Sequence, residues 1–354
     1  MSLLEKLEKS STVSHTSQMT DSPFFNRPKD NIATSFPILN IAMSGRVDQG
    51  LTAGLKMIAG PSKHFKSNLG LADVAAFLNT HQDGICLYYD SEFGAPMSYF
   101  NAFGIDSDRV LHTPVQHVEQ LKFDMARQLE TISEEDKVII FIDSLGNLAS
   151  KKELTDALNE NESADMSRAA AIKSLWRICT PQLTMKDIPC VLINHTYDSM
   201  DAFSPQVVAG GKGSLYSCST CWIVGRSQEK ENQSDRQISG YKFTINIEKS
   251  RFVTEKSKFS FQVSFKSGID RWSGLFDLAW DFGYIKMPTK GYYSRVFNGE
   301  AEDKKWRKKA TSCQEFWAPL LDSSQSSFLN DVYERYALES TPLITDDEQQ
   351  EALE

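Results

Sequence analysis

The chain has 354 residues, 40% of them hydrophobic and 24% charged, with a formal net charge of −9. That length allows one sizeable α/β core plus a smaller module, and the acidic balance excludes whole-surface attraction to nucleic acid while leaving local basic patches open. No apolar run approaches the ~18 residues of a membrane span, residues 1–11 are too charged for a secretory core, and Cys86, Cys179 and Cys190 lie in or beside apolar stretches that suit reduced thiols, so a cytoplasmic protein without a membrane partner is expected.

Residues 1–33 read as an appendage: an amphipathic segment with Leu3, Leu4 and Leu7, a Ser/Thr-rich linker, then Ser22-Pro23-Phe24-Phe25. An apolar patch on a polar arm wants a partner surface, so this is either a frayed terminus or an arm for polymerisation. From Phe36 onward helix, turn and strand follow, with Ile38 to Met43, Gly45, and then Gly50 to Leu55.

The stretch Gly60-Pro61-Ser62-Lys63-His64-Phe65-Lys66-Ser67-Asn68 follows the apolar run Leu55 to Ala59 and precedes a helical pattern from Asn68 to Asn79. In that context it reads as a phosphate-binding loop, because backbone N–H groups and a helix dipole meet at one spot. Lys66 then reaches the β and γ phosphates of a nucleotide and Ser67 binds Mg²⁺. Phe65 stands where the G-x-x-x-x-G-K-[ST] pattern has its second glycine, and a bulky residue there needs an allowed backbone geometry. Without a nucleotide the same string is a Gly-Pro turn and a solvated lysine.

Further apolar runs follow at Ile85 to Tyr89, Val110 to His112, Val138 to Ile142 and Cys190 to Ile193, alternating with helical segments such as Val118 to Ile132 and Met166 to Cys179. The alternation predicts an α/β fold with a mostly parallel sheet flanked by helices. Ligands bind at the carboxyl edge of such sheets, and the runs end there in Asp90-Ser91-Glu92, Asp143-Ser144 and Asn194-His195. Asp143 after Val-Ile-Ile-Phe-Ile suits a Mg²⁺ and water ligand, and Glu92 suits polarisation of an attacking water; singly each carboxylate could be a helix N-cap, but together with Lys66 they form a site. His195, which alone could be an ordinary hydrogen-bonded loop residue, precedes a glycine-rich stretch, Tyr197 to Gly213, of a length that is either functional or disordered. Six scattered histidines and one unaccompanied C-x-x-C, Cys218 to Cys221, leave Mg²⁺ as the only metal expected.

After Thr220 the runs Cys221 to Val224, Tyr241 to Ile247 and Lys258 to Phe265 read as a β-rich extension of the core, which spans 34–272. Residues 273–340 form a smaller α/β module with helices at Leu275 to Phe282 and Phe328 to Tyr336 and a hairpin near Tyr284 to Phe297. Its run Lys304-Lys305-Trp306-Arg307-Lys308-Lys309 is either a solvated face or a contact for nucleic-acid backbone. Residues 341–354 form an acidic tail.

Together these stretches resemble the RecA-type recombinases, most closely the phage UvsX branch: Gly50 to Gly54, GPSKHFKSN from Gly60, YYDSEFG from Tyr88, VIIFIDSLGNLASKKE from Val138, INHTY from Ile193 and NIEKSR from Asn246. The resemblance implies a RecA-like ATPase core that binds ATP and Mg²⁺, forms helical filaments on single-stranded DNA and exchanges strands with a duplex. It implies phosphate and Mg²⁺ ligation by Lys66 and Ser67, a catalytic role for Glu92, a Mg²⁺-binding acid at Asp143, and adenine stacking on Tyr99. It also implies that His195 replaces a glutamine that senses the γ-phosphate, and that Lys249 and Arg251 contact ATP on a neighbouring protomer. DNA-binding loops are implied near Ser150 to Ser163 and at Tyr197 to Gly213, with Gly210, Gly211, Lys212 and Gly213 in the second; Arg168, Lys173 and Arg177 are further phosphate candidates. Implied partners are a single-strand-binding protein and a recombination mediator, in the host cytoplasm if the chain is phage-encoded. A ring helicase on the same core and a small-molecule phosphotransferase are the other classes that the phosphate loop allows.

Overall fold

The computed structural model describes residues 2–26, 29–160, 166–197, 206–229 and 237–340. The acidic tail and the central part of the Tyr197 to Gly213 stretch lie outside the described residues. Helices α1 (Leu3–Ser10), α2 (Pro23–Asn26) and α3 (Pro37–Ser44) precede the first strand, β1 (Gly54–Gly60). Then come α4 (Lys66–Thr80), β2 (Ile85–Asp90), α5 (Met97–Ala102), β3 (Val110–Pro114), α6 (Val118–Thr131) and β4 (Val138–Asp143). They are followed by α7 (Lys151–Leu158), α8 (Ser167–Met185), β5 (Pro189–Tyr197), β6 (Val207–Val208) and α9 (Lys212–Ser217). Strands β7 (Thr220–Glu229), β8 (Gly240–Ser250), β9 (Lys258–Ser264) and β10 (Gly268–Ile269) complete the large sheet.

That sheet has the order β10-β9-β8-β7-β1-β5-β4-β2-β3, with β6 beside β5. From β7 to β3 all neighbours are parallel, and β7 to β10 form an antiparallel flank. Strand residues alternate between the faces as a period of two requires. Val138, Ile140 and Ile142 join the core under α6 and α8, whereas Ile139 and Phe141 join the core under α3 and α4. The parallel, helix-flanked core agrees with the expected fold class.

The C-terminal module holds α10 (Leu275–Asp281), β11 (Ile285–Thr289), β12 (Tyr292–Phe297), β13 (Glu300–Ala301), β14 (Trp306–Arg307), α11 (Gln314–Trp317) and α12 (Phe328–Tyr336). Its strands form a second, antiparallel sheet of four, larger than the single hairpin expected. The basic run is only partly a solvated face: Trp306 is buried in the module, and Lys304 pairs with Glu315 at 2.5 Å. On α1, Leu3, Leu4 and Leu7 all face solvent.

One buried ion pair ties the central strand to the helix behind the phosphate loop. Lys56 on β1 meets Asp73 on α4 at 2.6 Å, both 2% exposed, and its ammonium lies 3.7 Å from the Trp222 ring centroid. Burial pushes the lysine down and the aspartate up, and their mutual attraction opposes both shifts. Lys56→Met leaves Asp73 buried without its partner and should destabilise the protein by about 3–5 kcal/mol, whereas adding Asp73→Leu should recover most of that. Urea unfolding of both variants checks this; equal losses in the two would remove the pair from the account.

Candidate active site

Strand β1 turns into α4 through the predicted phosphate loop. The turn is tight at its start: a Cβ on Gly60 would meet the Val224 carbonyl oxygen at 2.8 Å. Two non-glycine residues then take left-handed backbone, Lys63 at φ 61° and Phe65 at φ 63°. Such a conformation is costly for a bulky residue, and here the Phe65 ring packs on Phe243 and Phe261 of the antiparallel flank, with centroids 5.3 and 6.2 Å away. Arg226 on β7 adds a hydrogen bond to the Lys63 carbonyl at 3.0 Å. Lys66 opens α4, is 6% exposed, and donates to the Pro61 carbonyl at 2.8 Å. Burial lowers its pKa, while Glu92 and Asp143 favour its charge.

Parallel register brings the polar strand ends together. Gly60 pairs with His195 across β1 and β5, and Asp90 pairs with Asp143 across β2 and β4. Asp143 is 3% exposed, and burial pushes its carboxyl up to about 6, opposed by a hydrogen bond from Ser67 and by Lys66. Its Oδ1 is buried without a hydrogen-bond partner. A carboxylate oxygen left unpaired beside a serine hydroxyl is what a Mg²⁺ ion that keeps waters and phosphate oxygens would take up. Among the described residues there is no cluster of three or more His, Cys, Asp or Glu to hold a different metal, and Cys218 and Cys221 are buried free thiols.

Glu92 extends from the turn after β2, which Asp90 fixes by accepting from the Glu92 and Phe93 amides at 3.0 and 2.8 Å. Its Oε1 receives Ser144 Oγ at 2.5 Å, Asn147 Nδ2 at 3.0 Å and His195 Nε2 at 2.6 Å. Contact with His195, then with Ser144, holds its carboxyl below the usual range against burial. His195 is backed by the loop after β4, since a Cβ on Gly146 would meet its ring at 2.3 Å. Its carbonyl accepts from Ala209 N at 2.9 Å, and Asn194 Nδ2 donates to the Ala209 carbonyl at 3.0 Å. The described end of the glycine-rich stretch is thereby tied to Glu92. Ser144 and Asn147 escaped singling out by sequence because only their spatial partner gives them a role.

The remaining predicted residues fall into separate places. Tyr99 is 43% exposed on α5 and lines a cleft of about 840 Å³ with Phe65, Asn68, Phe103 and Ile269. Residues 151–158, expected within a loop, form α7, whose N-terminus carries a Ser150/Glu153 capping box legible in the sequence. Arg168 donates through Nε and Nη2 to the carbonyls of Leu148, Leu145 and Gly146 at 2.6–3.1 Å, which fixes the loop after β4. Lys173 and Arg177 are exposed on α8. Gly210 and Gly211 take left-handed φ of 82° and 75°, and Lys212 and Gly213 begin α9. Lys249 and Arg251 are not brought to this group. Ser250 pairs with Thr220, which pairs with Lys56 near the start of β1, at the opposite edge of the sheet. Lys249 Nζ donates to the Leu215 and Tyr216 carbonyls at the end of α9, at 2.9 and 3.0 Å.

Comparison with known proteins gives two family matches. Residues 26–270 match the RecA N-terminal domain, and residues 272–332 match the Bacteriophage T4 recombination and repair protein C-terminal domain. The chain is 48% identical over 324 residues to the "Recombination and repair protein" of Enterobacteria phage T4, covering 90% of this chain and 82% of that one. It is 23% identical to "Protein RecA" of Oleidesulfovibrio alaskensis over 66% of this chain and 65% of that protein, and 26% identical to "Protein RecA" of Tropheryma whipplei over 66% and 52%.

The contacts around Glu92 make a direct prediction. His195→Ala removes the main contact that holds its carboxyl low, so the Glu92 pKa should rise, and Ser144→Ala should raise it less. Carbon-13 NMR titration of labelled glutamate reads both; a Glu92 pKa unmoved by His195→Ala would show that the pair is not coupled in solution.

Proposed function

The chain belongs to the RecA family of recombinases, and from that premise we propose a DNA-dependent ATPase that polymerises on single-stranded DNA as a helical filament and exchanges strands with a homologous duplex. The observation that carries the reading is the meeting of Lys66, Ser67, Asp143 and Glu92 at one sheet edge, with Asp143 Oδ1 buried and unpartnered beside them. The relatives favour neither the ring helicase nor the small-molecule phosphotransferase.

In this reading the loop amides and Lys66 hold the β and γ phosphates of ATP, and Tyr99 stacks on the adenine. Ser67 and Asp143 would hold Mg²⁺, which when bound would supply neutralising charge for the transferring phosphoryl group. Glu92 takes the proton of the attacking water while the water oxygen bonds to the γ-phosphorus and the bond to the bridging oxygen breaks, releasing ADP and phosphate. Three donors on Oε1 lower the basicity of the carboxylate, so loss of one would make Glu92 a stronger proton acceptor. His195 is the donor that movement of the segment through Ala209 would withdraw, which gives DNA binding there a route to hydrolysis. The exposed leucines of α1 support its role as a polymerisation arm. The exposed Lys305, Arg307, Lys308 and Lys309 support capture of duplex DNA by the C-terminal module. A single-strand-binding protein and a mediator are its further partners in the host cytoplasm; no described helix is long and apolar enough to cross a membrane.

Glu92→Gln should keep ATP and DNA binding and lower turnover by ~10² or more, the scale of losing one general base. DNA-stimulated ATPase rates decide this, and unchanged turnover would remove Glu92 from the chemistry. Lys249 and Arg251, at the opposite sheet edge from Lys66, would act in trans on a neighbour's phosphates. Mixing Lys66→Ala protein with Arg251→Ala protein should then restore part of the ATPase activity, because some junctions join an intact loop to an intact arginine. No recovery at any ratio, in mixtures shown to form joint filaments, would put Arg251 in cis or outside the site.

A further inference from the structure

We infer that Phe65 is a positioning residue of the phosphate loop, held by an aromatic mount that makes the antiparallel flank β7–β9 a working part of the nucleotide site. The inference rests on the nucleotide reading above and deepens it. Glycine reaches left-handed backbone without penalty, whereas a phenylalanine persists there only when its surroundings over-determine it. Those surroundings are specific. Phe65 packs on Phe243 and Phe261, which stack on each other at 5.5 Å and 22°. Tyr241 extends the group at 6.1 Å from Phe243, and Arg226 lies 4.5 Å from the Tyr241 ring centroid. The same Arg226 grips the Lys63 carbonyl, the loop's other left-handed non-glycine position.

The loop is thus fastened twice to the flank, at Lys63 by a hydrogen bond and at Phe65 by its ring. Phe65 is also the residue from which α4 starts. Turning it out of the left-handed region would pull its ring from the mount and swing the amides that follow, which belong to Lys66 and Ser67. Aromatic packing from residues 178 and 196 positions away therefore sets the aim of the phosphate-binding amides, a task that glycine's freedom performs in the general pattern. Phe65 also faces the cleft that Tyr99 lines, so a base-contacting wall is the competing role, and the test must tell the two apart.

The experiment measures equilibrium binding of a non-hydrolysable ATP analogue and of inorganic tripolyphosphate, which has no base. Phe65→Gly keeps the left-handed backbone unstrained and removes the ring; it should weaken both ligands about 3- to 10-fold, the equivalent of one aromatic pair. Phe65→Leu, strained and without the ring, should bind worse than Phe65→Gly. Phe243→Leu, outside the loop, should weaken both ligands in the same direction and add little to Phe65→Gly, since partners in one contact are not additive. If Phe65→Gly does not fold, Phe243→Leu and Arg226→Gln carry the test. Tripolyphosphate binding unchanged in Phe65→Gly would overturn the inference in favour of a base wall, and fully additive losses would overturn the mount. Wild-type protein that binds neither ligand would overturn the nucleotide reading, and this inference with it.

Discussion

Everything at the site depends on the register of four parallel strands. Neighbouring strands lie about 4.8 Å apart, so residues that end adjacent parallel strands at the same level fall within reach of one ligand. Gly60 lies opposite His195, and Asp90 lies opposite Asp143. A one-residue slip would turn every side chain to the other face, and the two buried cores that sandwich the sheet forbid it: Ile140 and Ile142 have no place among the residues around Phe141. The chemistry at the edge is fixed by apolar packing several residues away from it.

Within that frame the two carboxylates are driven apart electrostatically. Asp143 is buried, and burial raises its carboxyl to about 6 against the pull of Ser67 and Lys66. Glu92 is only partly buried and is surrounded by donors, so it stays ionised. A metal ligand and a proton acceptor are different requirements, and burial together with hydrogen bonding assigns them to different residues. Lys66 feels both, its charge disfavoured by burial and favoured by the two carboxylates.

Much of this was legible in the sequence, because apolar runs with polar ends are a local signal. The strands around Ile85, Val138 and Cys190, the loop at Gly60 and the acids after the runs all follow from short-range pattern. What escaped depends on long-range partners. Lys56 in the middle of an apolar strand is intelligible only with Asp73 and Trp222 around it. Arg168 also holds three carbonyls of a neighbouring loop, a structural task that no local pattern announces. Trp306 sits among lysines in sequence and inside the module in space. Phe65 departs from the motif for a reason found on β8 and β9.

The same strand β8 also bears on how the two edges of the sheet communicate. Near its start Phe243 supports the phosphate loop, and near its end Lys249 caps α9 through two carbonyls. Helix α9 follows Gly210 and Gly211, and Ala209 just before them is bonded to both Asn194 and His195. Contacts therefore run without a gap from Glu92 through His195 and Ala209 to α9 and Lys249. Contiguity is not coupling in itself; coupling needs an element with two arrangements that both ends bias. In the arrangement described, Lys249 holds the end of α9 through the Leu215 and Tyr216 carbonyls, and two glycines with positive φ precede the helix. Any displacement of that helix would bear on His195 through its bonded neighbour Ala209, at the point where His195 holds Glu92.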